Sequence, residues 1–272
     1  MPPTDVRDDL SQLALTAARA GAAAIVGVMT AGPLDPAFKS GSHDMVTAAD
    51  RAAEQAVIET IRAVRPEDPI LGEEGGSLPG TTNVQWLVDP LDGTANFVYG
   101  RADYAVSVGV RVDREPVAGA IVRPGHRQWL AGDSRGVVAG RGGEDSEPLT
   151  FSQRATDLSA ALVALGMPYD LQARRRVMAF AGALAEQVRG IRVMGCAAGD
   201  LAAVTLGEVD VVLGFGLAEW DVAGGEAIVL AAGGRVRRIA SFATGLPAMI
   251  SGPAGLVDTL EAVVVDRHFA TT

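Results

Sequence analysis

Apolar positions alternate along the chain between helical spacing and short unbroken runs, and the alternation predicts the order of elements. An Ala- and Leu-rich stretch from about Asp8 to Met29 predicts a first helix, followed by a Gly/Pro segment. In "DMVTAADRAAEQAVIETIRAV", Ala53, Val57, Ile61 and Val64 recur on one helical face. Thr47 followed three residues later by Asp50 predicts a capping box at the start of that helix, and Pro66 stops it. "PILGEEGG" reads as a short strand entering a glycine-rich turn. Trp86, Leu87 and Val88 then form a run that suits a buried strand.

From Tyr104 to Gly140 the segments are short, β-rich and punctuated by turn residues, which predicts an antiparallel meander. "GRGGEDSEP" (140–148) has no periodicity and reads as an exposed loop or lobe junction. The second half alternates. Strands are expected at "AALVALG", "GIRVMG", "VDVVLGF", "GRVRRI" and "AMISG". Helices are expected at about 171–188 and 197–206, from near Asp221, and from about Leu256. The whole predicts an α/β (α+β) chain with helices layered on mixed sheets. It is read as one domain of two lobes, 1–145 and 146–272.

Composition narrows the function. The 272 residues are 48% apolar, enough for a large core, and the net charge of −10 argues against nucleic acid or anionic membrane as a partner. A single cysteine, Cys196, rules out a disulfide within the chain and fits a reducing, cytoplasmic location. The apolar N-terminal stretch is interrupted by Arg19 and preceded by Asp5, Asp8 and Asp9. It therefore reads as a packed helix rather than a membrane span or signal peptide.

Acids gather where apolar runs end: Glu73 and Glu74 after "PIL", Asp89 and Asp92 in "WLVDPLDGTANF", and Asp221 in "EWDVAGGEA". Each has a local explanation, since "DPLDG" is ordinary turn chemistry and Asp221 suits a helix N-cap. Together they read as oxygen ligands for a hard divalent cation. His43, His126 and His268 show no zinc spacing, which leaves Mg²⁺ or Mn²⁺ and the hydrolysis of a phosphate ester. Gly93 and Thr94 form a turn able to grip a phosphate. Asp50 suits either the helix cap or the orientation of Thr94 or an attacking water.

"GEE", "WLVDPLDGTANFVYG" and "EWDVAGGEAIVLAAGG" together resemble the three signatures of the inositol monophosphatase family, with order and spacing kept from about Lys39 to Gly234. The resemblance implies a Mg²⁺-dependent, lithium-sensitive phosphomonoesterase with a layered α/β/α/β/α sandwich, commonly a homodimer. It implies two or three Mg²⁺ ions, with Mn²⁺ as a substitute. Glu73, Asp89, the backbone carbonyl of Leu91, Asp92 and Asp221 would be the metal ligands, with Glu74 no principal ligand. Asp50, Thr94 and Glu73 would be the catalytic residues. The N–H groups of Gly93 and Thr94 would hold the phosphate, the turn Gly195, Cys196, Ala197 would face the substrate, and Lys39 would lie near the site.

Two positions depart from the family pattern. Gly214 stands where inositol phosphatases usually carry a glutamate that contacts a ring hydroxyl, and "GCA" stands where Gly is usually followed by Ser or Thr. Glu219 lies beside Trp220, Cys196 suits a packed residue, and Asp210 suits a structural role. The expected substrate is a phosphorylated small polyol, foremost inositol 1-phosphate, with fructose 1,6-bisphosphate and histidinol phosphate as alternatives. Adenosine 3′,5′-bisphosphate is disfavoured for want of a basic cluster. A catalytically idle regulatory member is the rival reading. A carboxylate Ca²⁺ loop is excluded because the acids are dispersed.

Overall fold

The computed structural model describes residues 9–31, 37–38, 45–142, 146–151, 153–241 and 244–266. Lys39, His43 and His268 lie outside them. In chain order the first half comprises α1 (Leu10–Ala31), β1 (Ala37–Phe38), β2 (Met45–Val46), α2 (Ala48–Val64), β3 (Ile70–Gly72), β4 (Gly76–Leu78), β5 (Val84–Asp92), α3 (Thr94–Val98), β6 (Ala105–Val112), β7 (Glu115–Arg123), β8 (Gln128–Asp133), β9 (Gly136–Arg141) and β10 (Glu147–Leu149). The second half comprises β11 (Leu162–Leu165), α4 (Leu171–Ala185), β12 (Gly190–Arg192), α5 (Ala197–Thr205), β13 (Val211–Phe215), α6 (Glu219–Ala231), β14 (Arg235–Ala240), β15 (Pro247–Gly252) and α7 (Ala254–Val265).

Two mixed sheets organise the chain. The larger has eight strands in the order β10-β9-β8-β7-β6-β5-β3-β4, and the smaller has five in the order β12-β11-β13-β15-β14. Strands β6 to β9 form the expected antiparallel meander. The segment expected as a loop or junction at 140–148 instead ends β9 and begins β10, which pair antiparallel as a hairpin. The eight-stranded sheet thus draws its last strand from beyond residue 145.

Side-chain alternation assigns the layers, because successive residues of a strand face opposite sides. Trp86 and Val88 of β5, with Val106, Val108 and Val110 of β6, join the Ala face of α1 and the Val57–Ile61 face of α2 in one core. Ala105, Ile121 and Leu130 on the other side of that sheet meet α5, α6 and residues Val212 and Met249 of the smaller sheet. Val163, Leu213 and Ile250 face outward from the smaller sheet onto Phe180 of α4 and Leu260 of α7. The result is an α/β/α/β/α sandwich. α1 is long and apolar enough to cross a membrane by length and composition. Its residues Leu10, Ala14, Ala18 and Ile25 are nonetheless buried in the first core.

Helix α6 comes unusually close to the eight-stranded sheet. A Cβ added to Gly119 of β7 would lie 2.3 Å from the carbonyl oxygen of Gly224. One added to Gly224 would lie 2.6 Å from the Ser107 hydroxyl. Glycine on both surfaces lets backbone rest on backbone, and this seats the first turn of α6 over the end of β5.

Candidate active site

Strands β3 and β5 run parallel, with Gly72 beside Val88, and the Glu73 N–H continues the ladder by donating to the Val88 carbonyl at 3.2 Å. Glu73 and Asp89 thus emerge side by side where the two strands end. The negative charge of Glu73 therefore bears directly on the buried Asp89 carboxyl.

Asp89 and Asp92 are three residues apart, so a regular strand would point them to opposite faces. Against β6, however, Asp89 pairs with Ser107 and Asp92 with Ala105, so the register shifts between them. One extra residue on β5 forms a bulge that returns both aspartates to the same side. Pro90 sits in that bulge, where its missing N–H costs no ladder bond. The Leu91 side chain packs into the first core, while its carbonyl accepts the Thr94 hydroxyl at 2.9 Å. Gly93 follows with φ +85°, and a Cβ there would lie 2.8 Å from the Asp103 carbonyl oxygen. Only glycine meets both demands.

The capping box at Thr47 forms as expected: Asp50 Oδ2 accepts from the Thr47 N–H and hydroxyl, each at 2.7 Å, and Thr47 Oγ1 accepts the Ala49 N–H at 3.0 Å. Asp50 Oδ1 accepts from the Thr94 hydroxyl at 2.9 Å. Asp50 thus meets the helix cap with one carboxylate oxygen and Thr94 with the other.

The local reading of Asp221 as a helix N-cap does not hold, because α6 starts at Glu219 with Ala218 at the cap position. Asp221 sits in the first turn and reaches back to accept the Ala218 N–H at 2.8 Å. This puts its carboxyl over the β5 bulge. Glu219 points elsewhere: its carboxylate pairs with Arg111 at 2.6 Å.

Glu73, Asp89, Leu91, Asp92, Gly93, Thr94 and Asp221 line one cavity of about 260 Å³, together with Gly195, Cys196 and Ala197. Burial pushes the Asp89 carboxyl well above the usual range, reinforced by the charges of Glu73, Asp92 and Asp221. Burial likewise raises Asp92 to about 8, helped by Asp221 and opposed by hydrogen bonds from Ala198 and Cys196. The Ala198 N–H donates to Asp92 Oδ2 at 2.5 Å, so the start of α5 steadies this carboxylate. The Cys196 sulfur accepts the Gly199 N–H at 3.3 Å as the cap of α5, and burial raises its thiol far from thiolate. Cys196 is a packed capping residue that also borders the cavity.

Among the described residues, no three or more His, Cys, Asp or Glu side chains are drawn together into a group that could hold a metal ion as they stand. The donor set nonetheless suits a hard divalent ion, because it offers oxygen atoms alone. Burial and, after it, the neighbouring negative charges raise Asp89 and Asp92, and a bound cation would offset both.

Several neighbours escaped the sequence reading. Glu54, one turn beyond Asp50 on the buried face of α2, accepts the Glu74 N–H at 3.0 Å and so ties the "GEEGG" turn to the helix. A second acid on an otherwise apolar face was the available signal. Asp200 on α5 is buried and also lines the cavity. Burial and the Asp92 charge push its carboxyl up, and Arg123 opposes them. Asn96 binds the carbonyls of Asp103 and Met194, each at 2.7 Å, joining the β5–α3 turn to the loop before α5. Asp210 accepts the N–H groups of Ala155 at 3.1 Å and Leu162 at 2.8 Å, the structural role expected of it.

Residues 7–252 match the inositol monophosphatase family. The chain belongs to that family. An inositol-1-monophosphatase of Mycobacterium bovis is 34% identical over 267 residues, covering 95% of this chain and 92% of the relative. A protein named Nus factor SuhB from Escherichia coli (strain K12) is 35% identical over 218 residues, 79% of each chain. Among solved structures, the extragenic suppressor protein suhB from Bartonella henselae superposes with a TM-score of 0.80 at 28% identity, covering 93% of this chain and 97% of that one. An inositol monophosphatase from Anabaena (Nostoc) sp. PCC 7120 gives 0.76 at 30% identity, with 93% of each chain covered. The inositol monophosphatase family thus accounts for the sandwich and the order of its motifs.

Proposed function

We propose that this family member hydrolyses a phosphate monoester of a small polyol, using Mg²⁺ held by Glu73, Asp89, the Leu91 carbonyl, Asp92 and Asp221. Bound Mg²⁺ supplies an acidified water and countercharge for the leaving oxygen. Glu73 orients that water. The Thr94 hydroxyl, donating to Asp50, keeps lone pairs free to accept from the water, and Asp50 draws the proton away through it. The N–H groups of Gly93 and Thr94 hold the phosphate oxygens. The turn Gly195, Cys196, Ala197 borders the leaving alcohol.

The observation that carries this reading is the convergence of four carboxylates from three separate segments on one cavity, beside the Thr94–Asp50 pair. The test is phosphate release with Mg²⁺ from inositol 1-phosphate, fructose 1,6-bisphosphate, histidinol phosphate and adenosine 3′,5′-bisphosphate, run beside Asp92→Asn. Turnover of one ester, lost in the variant and in chelator, supports the reading. No turnover of any of them counts against it.

A regulatory role without turnover is the second reading, favoured by the relatives named Nus factor SuhB. Retention of Glu73, Asp89, Asp92 and Asp221 weighs against it. A cytoplasmic homodimer belongs to the first reading, and light scattering of the purified chain tests the dimer.

A further inference from the structure

The cavity wall supplied by the five-stranded sheet and its connections differs in character from the acidic wall. A Cβ on Gly214 would lie 2.4 Å from Leu217 Cδ1, so Leu217 occupies the space that a side chain at 214 would use. Leu217 and Met167 line the cavity there, presenting an apolar surface instead of a carboxylate to the leaving alcohol.

On the same wall stands Arg174, the one basic side chain lining the cavity among the described residues. It lies in the first turn of α4, half-buried. Its Nε donates to the Pro168 carbonyl at 3.1 Å and its Nη2 to the Tyr169 carbonyl at 3.3 Å. These bonds pin the guanidinium to the segment between β11 and α4. Among the described residues Arg174 makes no ion pair with a carboxylate, and Nη1 makes no hydrogen bond. A fixed guanidinium borders the acid-lined cavity and is held back from the acids by backbone carbonyls.

We propose that Arg174 determines specificity by binding a second oxyanion, carboxylate or phosphate, on the alcohol part of the ester. The proposal rests on the phosphomonoesterase reading. The reacting phosphate is served by the metal ligands and the Gly93–Thr94 turn. A second anion in the same cavity would be repelled by the surrounding carboxylates unless a fixed cation met it. A guanidinium meets an oxyanion through charge-assisted hydrogen bonds. A neutral polyol forgoes the charge-assisted part of any bond to Arg174 and finds the apolar Leu217 beside it.

The test compares the full-length wild type with Arg174→Gln and Arg174→Lys, all with Mg²⁺. Two esters have anionic alcohol parts, fructose 1,6-bisphosphate and 3-phosphoglycerate, and two have neutral ones, inositol 1-phosphate and glycerol 1-phosphate. Melting temperatures confirm that the variants fold. The expected result is a wild-type kcat/KM about tenfold or more higher for at least one anionic ester. Arg174→Gln should lose that advantage through KM, leave the neutral esters within about twofold, and be partly rescued by Arg174→Lys. A preference for fructose 1,6-bisphosphate assigns the second group as phosphate, and one for 3-phosphoglycerate as carboxylate. As a second readout, fructose 6-phosphate should inhibit hydrolysis of p-nitrophenyl phosphate by the wild type and not by Arg174→Gln. Equal losses on all four esters, or Mg²⁺-dependent turnover confined to the neutral ones, would overturn the proposal and leave the phosphomonoesterase standing. Absence of any Mg²⁺-dependent turnover would overturn both.

Discussion

The Thr94 hydroxyl lies 2.9 Å from Asp50 Oδ1 and 2.9 Å from the Leu91 carbonyl oxygen, so one proton faces two acceptors. A cation on the Leu91 carbonyl would leave Asp50 as the remaining acceptor. The hydroxyl would then be locked in the orientation that receives a proton from water. Asp50→Asn keeps an oxygen for one partner and loses the charge that draws the proton. Its kcat should fall by about 10²–10⁴, while weakening of the cap should cost only about 1 kcal/mol. Steady-state rates and thermal melts on the same preparation separate the two effects. A rate within about threefold of wild type would remove Asp50 from the mechanism.

Metal removal should be visible without any substrate. A ligand present at about 100 times its Kd adds about 2.7 kcal/mol to stability. Saturating Mg²⁺ should therefore raise the melting temperature of chelator-treated protein, and Asp221→Asn or Asp92→Asn should shrink the rise. Scanning calorimetry with and without Mg²⁺ measures it. An undiminished rise in both variants would place the metal elsewhere.

The raised Asp92 carboxyl sets the sign of a pH effect. In the folded, metal-free chain it holds its proton up to about 8, against 3.8 for an ordinary aspartate. Its stabilising contribution is complete below the unfolded value and is lost as pH rises through about 8. Asp89 and Asp200, raised by burial, act in the same direction. Metal-free protein should melt lower at pH 8.5 than at pH 5.5. Mg²⁺ requires the ionised carboxylates, so its affinity should tighten over the same interval with release of protons. Calorimetric titration in two buffers of different ionisation enthalpy reads the proton count. Affinity that weakens with rising pH would contradict the assignment.

Gly119→Ala tests the seat of α6. The new methyl would meet the Gly224 carbonyl oxygen at 2.3 Å, and backbone on both sides leaves little room to yield. Overpacking of this kind costs about 1–3 kcal/mol. Because α6 carries Asp221, the variant should also bind Mg²⁺ more weakly than its loss of stability alone would suggest. Denaturant unfolding and Mg²⁺ titration together decide the point, and unchanged Mg²⁺ affinity would sever the seat from the site.

Much of this protein could be read from the order of its residues. The meander, the helices α1, α2 and α5, and the acids at the ends of apolar runs depend on local periodicity and turn chemistry. Glu73, Asp89, Asp92 and Asp221 were legible because each interrupts or ends an apolar segment. Only the tertiary structure decided which acids meet. A bulge at Pro90–Leu91 reverses the parity that would have separated Asp89 from Asp92. The Gly119–Gly224 contact lowers α6 onto the sheet, which is how Asp221 reaches the cavity from inside the helix rather than from its cap. Glu219, two residues earlier in sequence, is drawn instead to Arg111 on β6. Arg174 left no local mark, since an arginine in the first turn of a helix is ordinarily solvated. Its place in the cavity depends on where the segment after β11 folds back. Side-chain periodicity is a property of neighbours along the chain, whereas a site depends on distances between segments that only packing sets.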